Sequence, residues 1–310
     1  MHRAIAAWLT EHPWRPLIAS ALCGALVQLM QQLPLLQLTV LPFTLAACAI
    51  PVLSVLRFDT RLGLAAAAVG AGSQCWIVYL LAPMVMAGTY PGIVLAFFGP
   101  ALLAVLLKRT GSLNLCFQVA VLTTGLLLVL VHVALPDPVG VWKPVLAELL
   151  NAMQPTGLSQ ADRDAFLAAV ARPMWGALGA FALATVFGAL LLGRWWDSLL
   201  RSEPGAFGRE YQMLRLGVAL GIAVTVLFLL AMTSDALLIA WLATVALMAL
   251  TFQGLAAAHR SRAGGRLKLG WLAAIYLLLI VPLSNIVTMF VLASWGFANN
   301  WLRPRQAARP

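Results

Sequence analysis

Apolar residues run along this chain in long unbroken stretches separated by short polar segments. The pattern lacks the two-residue alternation of a half-buried strand. The stretches are Leu17–Leu33, Leu38–Leu56, Leu62–Pro83, Gly92–Leu107, Leu113–Leu135, Pro173–Gly193, Leu216–Met232, Ala236–Ala256 and Leu269–Gly296. Their lengths cluster around the roughly 17–25 residues that cross a bilayer as α-helix. A backbone in hydrocarbon must satisfy its own hydrogen bonds, so such runs are helices or barrel strands. A barrel needs alternating segments of ~10 residues, which are missing. The pattern therefore predicts an all-α, polytopic transmembrane helical bundle of about nine spans, or eight if the last run turns back.

Charge orients these runs. Arg3 and Arg15, Arg57 and Arg61, Lys108 and Arg109, Arg194 to Arg215, and Arg260 to Lys268 all fall at alternate connections. The connections around Pro34, Thr89 and Ser234 carry no Lys or Arg. The positive-inside rule places the basic connections, and the N-terminus with them, on the cytoplasmic side. No small-residue cleavage site ends the first run, which reads as a retained anchor. The last run, about 28 residues, could rise about 42 Å. Its length predicts one tilted or kinked crossing with the C-terminus outside. Pro282, Ser284 and Asn285 interrupt it, and Arg303, Arg305 and Arg309 favour the rival, a broken pair that returns.

This gives an N-terminal six-helix membrane bundle over 1–193, a cytoplasmic loop over 194–215 and a three-helix membrane segment over 216–310. Residues 136–172 form an outer amphipathic segment. There Val141, Val145, Leu146, Leu149 and Leu150 recur at helical spacing, and Ser159 caps a second helix, Gln160–Ala171, with Asp162 in its first turn. Two helices lying flat on the outer surface are expected, as a surface anchor or a lid.

The composition fits this layout and narrows the chemistry. Hydrophobic residues make up 62% and charged residues only 10%, against roughly 25% charged in soluble domains. The net charge of +10 sits in short clusters between runs, whereas a nucleic-acid surface needs a continuous basic face. Cys23, Cys48, Cys75 and Cys116 all lie within apolar runs and read as small apolar fillers. No acidic residue occupies the middle of a span, which argues against an ion-coupled relay. Paired Asp, a Ser/His arrangement and HExxH are also missing, which argues against an intramembrane protease. His132, Asp137 and Asp235 match no recognised metal-ligand spacing, and no cofactor is expected.

The polar residues within spans are neutral. Gln74, Gln118, His132, Gln253 and Asn285 are the candidates for a pocket taking an uncharged or zwitterionic small molecule. The alternative role for each is a bond to a neighbouring helix, about 0.6 kcal/mol on average. Gly63, Ala67 and Ala71, with Ala66, Gly70 and Gln74, form small-residue faces suited to close helix approach.

The most distinctive stretch is Arg194–Arg215. Arg194, Trp195, Trp196, Pro204, Gly205, Phe207, Glu210 and Arg215 are the candidates for docking a cytoplasmic protein or a neighbouring subunit, because Trp, Tyr and Arg are enriched at binding hot spots. The pattern G-R-W-W-x-x-L followed by P-G-x-F-x-x-E-Y-x-x-L-R-L resembles a signature of the YybS-like family of uncharacterised bacterial polytopic membrane proteins. Gly296, Asn299, Trp301 and Arg303 resemble that family's second signature, although an acidic residue common there is replaced around Asn299 and Asn300. The resemblance implies a multi-pass protein of the bacterial inner membrane. Its first six helices are similar in layout to substrate-binding membrane subunits of energy-coupling-factor transporters, an analogy of fold alone. The expected function is accordingly a small-molecule permease or substrate-binding subunit, with a non-transport scaffold or assembly factor docking through 194–215 as the alternative.

Overall fold

The computed structural model describes residues 2–33, 36–81, 89–152, 159–201 and 205–302. Every regular element among them is helical. The chain divides into two compact units, Met1–Ala120 with Ala182–Leu214, and Val121–Phe181 with Arg215–Pro310. Six helical stretches are long and apolar enough to cross a membrane: Thr39–Arg57, Thr60–Leu81, Thr89–Thr110, Leu113–Ala134, Gln160–Leu200 and Leu237–Ala263. A bent pair, Ala206–Gln212 with Gly217–Thr233, makes a seventh if counted as one span.

The first unit contains α1 (His2–Glu11), α2 (Arg15–Gln31), α3 (Gln37–Arg57), α4 (Thr60–Leu81), α5 (Thr89–Thr110), the start of α6 (Leu113–Ala134), the end of α9 (Met174–Leu200) and α10 (Ala206–Gln212). Small residues set how closely its helices approach. Gly63, Ala66, Ala67, Gly70, Ala71 and Gln74 are all buried on α4, as their four-residue spacing predicts. A Cβ on Gly24 of α2 would overlap the Gly70 carbonyl, and one on Gly70 would overlap the Phe97 ring of α5. At the other end, Asp59 Oδ1 accepts the Leu62 N–H at 2.6 Å and so caps the first turn of α4. Lys108 Nζ donates to the Val55 and Phe58 carbonyls at 2.7 and 3.0 Å, closing the end of α3 with a cation where the helix dipole favours one.

The second unit contains the rest of α6, α7 (Lys143–Ala152), α8 (Gln160–Ala171), the start of α9, α11 (Gly217–Thr233), α12 (Leu237–Ala263), α13 (Leu269–Ile280) and α14 (Pro282–Leu302). Helix α8 begins where the sequence predicts, with Ser159 Oγ accepting the Asp162 N–H at 3.2 Å. Leu150 of α7 and Leu167 and Ala171 of α8 are buried, while Leu149 and Phe166 point outward. At the start of α12, Trp241 is fully buried and its Nε1 donates to the Arg172 carbonyl at 2.8 Å.

The last run differs from the single crossing that its length predicts. A residue that precedes proline is disfavoured in the helical region, and Val281, just before Pro282, has ψ 121°. The helix breaks there, and Ser284 Oγ donates to the Leu278 and Val281 carbonyls at 2.9 and 3.3 Å. Beyond the break α14 runs parallel to α12. Thr251 Oγ1 donates to the Met289 carbonyl, a separation of 38 residues, and Arg260 donates to Asn299, a separation of 39. Partners that advance in the same direction along both helices, from 251 with 289 to 260 with 299, are the mark of parallel packing. A kinked single crossing would pair α12 and α14 antiparallel. Helices α13 and α14 therefore form a hairpin, and α14 ends beside the end of α12. Its tight packing rests on glycine: a Cβ on Gly254 would overlap the Leu292 carbonyl, and one on Gly296 the Leu250 carbonyl.

Candidate functional site

The stretch Arg194–Arg215 is not a continuous loop. Helix α9 carries on through Leu200, and α10 takes up the chain again at Ala206 after a turn at Gly205, whose φ of +80° suits glycine. Pro204 lies outside the described residues. The helical extension turns Asp197 inward, where its side chain is only 1% exposed.

Three arginines meet that carboxylate. Arg57 Nε lies 2.7 Å from Oδ1, while Arg194 Nη1 and Arg201 Nε lie 3.0 and 2.8 Å from Oδ2. Arg57 also donates to the Asp197 carbonyl at 2.7 Å. Arg194 and Arg201 stand three and four residues from Asp197, the spacings that share a helix face. Arg57 arrives from the end of α3, 140 residues away in sequence, and no local pattern announces it. The same Arg194 grips Glu210 of α10 with two nitrogens, Nε to Oε2 at 3.0 Å and Nη2 to Oε1. A forked, charge-assisted pair of this kind fixes orientation as well as distance. Arg194 thus joins the end of α9 to α10, and Asp197 joins both to α3.

Aromatic residues fill in around the cluster. Trp196 is buried against Ala6, Leu9, Ala49, Ile50 and Leu53, which belong to α1 and α3. Trp195 packs against His2 with ring centroids 4.9 Å apart. On α10, Tyr211 is buried with Phe207 stacked against it at 6.0 Å. Phe207 itself is half-buried, and Met213, just after α10, is 49% exposed.

The remaining docking candidate, Arg215, belongs to a second polar cluster, which lies within the second unit. Gln253 of α12, only 2% exposed, is its hub. Its Oε1 accepts the Leu216 N–H at 3.0 Å, and its Nε2 donates to the Gly296 carbonyl at 2.7 Å and Asn300 Oδ1 at 3.4 Å. Asn300 Nδ2 donates to the Gly217 carbonyl at 3.1 Å, and Arg215 Nη2 donates to the Asn300 carbonyl at 3.1 Å. The two sequence signatures thus meet: Arg215 and Leu216 end the first, Gly296 and Asn299 belong to the second, and Gln253 ties them. Sequence reasoning missed Asn300 as a partner, although its polarity at the end of an apolar helix was a usable signal.

The five neutral candidates do not share one place. Gln74 and Gln118 belong to the first unit, and Gln74 is buried on the small-residue face of α4. In the second unit Gln253 is fully engaged in joining helices. His132 lies edge-on to Trp241 at 5.6 Å, twelve residues along α12 from Gln253, or about 18 Å of helix rise. Among the described residues, His132 Nδ1 and Asn285 Oδ1 are buried without a hydrogen-bond partner.

Comparison with protein-family models, with curated proteins and with solved structures finds no match.

Proposed function

We propose that this protein is a multi-pass scaffold or assembly factor of the bacterial inner membrane, which docks a protein partner through α10. The grip of Arg194 on Glu210 carries this reading. An ordinary connector between helices needs no buried carboxylate with three arginines, because taking charges out of water costs several kcal/mol per ion. Here that cost holds α10 in one orientation, with Phe207 half-exposed and Met213 outward. The charge pattern supports a cytoplasmic N-terminus and a cytoplasmic α10. With α13 and α14 as a hairpin, eight crossings fit the charge rule better than nine. The resemblance to the YybS-like family supports the multi-pass layout.

A specific observation keeps the small-molecule permease as the second reading: the unpartnered buried atoms of His132 and Asn285 suit a neutral ligand. The test that separates the two is Phe207→Ala with Met213→Ala, leaving Glu210 in place, followed by native electrophoresis of the solubilised membranes. The docking reading expects normal abundance and loss of a larger assembly. An assembly of unchanged size contradicts it and favours the permease.

A further inference from the structure

The second unit is electrically lopsided. After Asp235 the sequence has no Asp or Glu through to Pro310, and its only charged residues are Lys and Arg. Asp235 itself precedes the start of α12, where its carbonyl accepts from Arg172. Helix α12 is 27 residues long, so its far end lies about 40 Å further on. There a tight turn leads into α13. Gly264 N–H donates to the Arg260 carbonyl, and the N–H groups of Arg266 and Leu267 both donate to the Ser261 carbonyl, at 2.9 and 3.2 Å. Gly265 has a φ of +74°, which lets the chain reverse.

Arg262, Arg266 and Lys268 project from this turn, all exposed. Among the described residues none of them enters an ion pair. The hydrogen-bonded turn sets their backbone positions, and their segment contains no acid that could neutralise them. Trp271, in the first turn of α13 and 66% exposed, has the amphipathic ring that favours the level of lipid headgroups. The return of α14 adds Trp301, 44% exposed, to the same end.

We propose that the turn 260–268 is a binding site for the phosphate headgroup of an anionic phospholipid, seated between Arg262, Arg266 and Lys268 with Trp271 at its rim. Exposed cations beside an apolar helix suit a headgroup whose acyl chains continue into the bilayer, a feature that free phosphate lacks. The proposal stands independently of docking at α10.

The test is native mass spectrometry of the intact protein titrated with phosphatidylglycerol and, separately, phosphatidylcholine. The expected result is preferential retention of phosphatidylglycerol. Each cation near an anionic surface contributes about fivefold, so R262Q/R266Q/K268Q lowers that affinity about a hundredfold and leaves phosphatidylcholine unchanged. If the triple variant does not fold, K268Q alone, outside any helix, lowers it about fivefold. Equal binding of the two lipids by the unmodified protein, or unchanged phosphatidylglycerol affinity in the variants, overturns the proposal. So does full competition by inorganic phosphate at concentrations matching the lipid, which assigns the site to the free anion.

Discussion

Arg260 on α12 donates to Asn299 Oδ1 on α14 at 2.5 Å, and this bond fixes which way the last helix runs. It joins residues near the C-terminal ends of both helices. The first prediction follows from it. A reporter inserted in the turn 262–268 and a reporter fused after Pro310 give the same compartment signal. Paired fluorescent-protein and alkaline-phosphatase fusions check this, and opposite signals restore the single crossing.

The Asp197 cluster predicts unequal effects from neighbouring charges. Asp197→Asn leaves Arg57 and Arg194 close together without their shared counter-ion, and costs about 3 kcal/mol. Arg201 is 46% exposed, so solvent screens it and Arg201→Gln costs no more than about 1 kcal/mol. Thermal unfolding in detergent ranks the two. Equal losses contradict the buried network.

How much of this was legible in the sequence depended on whether a signal was local. Ser159 announced α8 because a cap acts within three residues. The small-residue faces of α4 were readable because helical spacing places them without tertiary knowledge. Pro282 announced a break for the same reason. Whether that break bends a helix or reverses it depends on Gly254 and Gly296 meeting carbonyls of the opposite helix, which no local pattern records. The Asp197 cluster was half legible: Arg194 and Arg201 share its helix face, but Arg57 comes from another helix, and by sequence alone the acid falls in the loop 194–215. Gln253 was singled out as a polar residue in a span, and its bonds to Leu216, Gly296 and Asn300 match the helix-joining alternative.

Close packing of α12 on α14 predicts a sharp contrast between two glycines. Gly254→Ala forces its methyl against the Leu292 carbonyl, which belongs to the backbone and cannot rotate away. The expected cost is about 1–3 kcal/mol, as for other overpacked sites. A Cβ on Gly72 meets nothing within 4 Å, so Gly72→Ala is neutral or stabilising by up to about 1 kcal/mol. Unfolding midpoints of both variants decide the point.

Replacing the hub of the second cluster also has a defined effect. Gln253→Leu removes three hydrogen bonds and leaves the Leu216 N–H buried without that acceptor. Intramembrane bonds of this type average about 0.6 kcal/mol each, so a loss of about 1–3 kcal/mol is expected. A ligand role for Gln253 predicts normal stability with altered binding instead.

Docking at α10 is tested most directly by a photocrosslinkable amino acid placed at position 213 in living cells. The expected result is a discrete adduct of higher mass that disappears with Phe207→Ala while membrane abundance stays normal. The same label on the exposed outward face of α11, at position 229, is expected to give lipid adducts alone. Protein adducts equal at both positions, or an adduct at 213 unaffected by Phe207→Ala, contradict the claim that α10 is held in place to receive a partner.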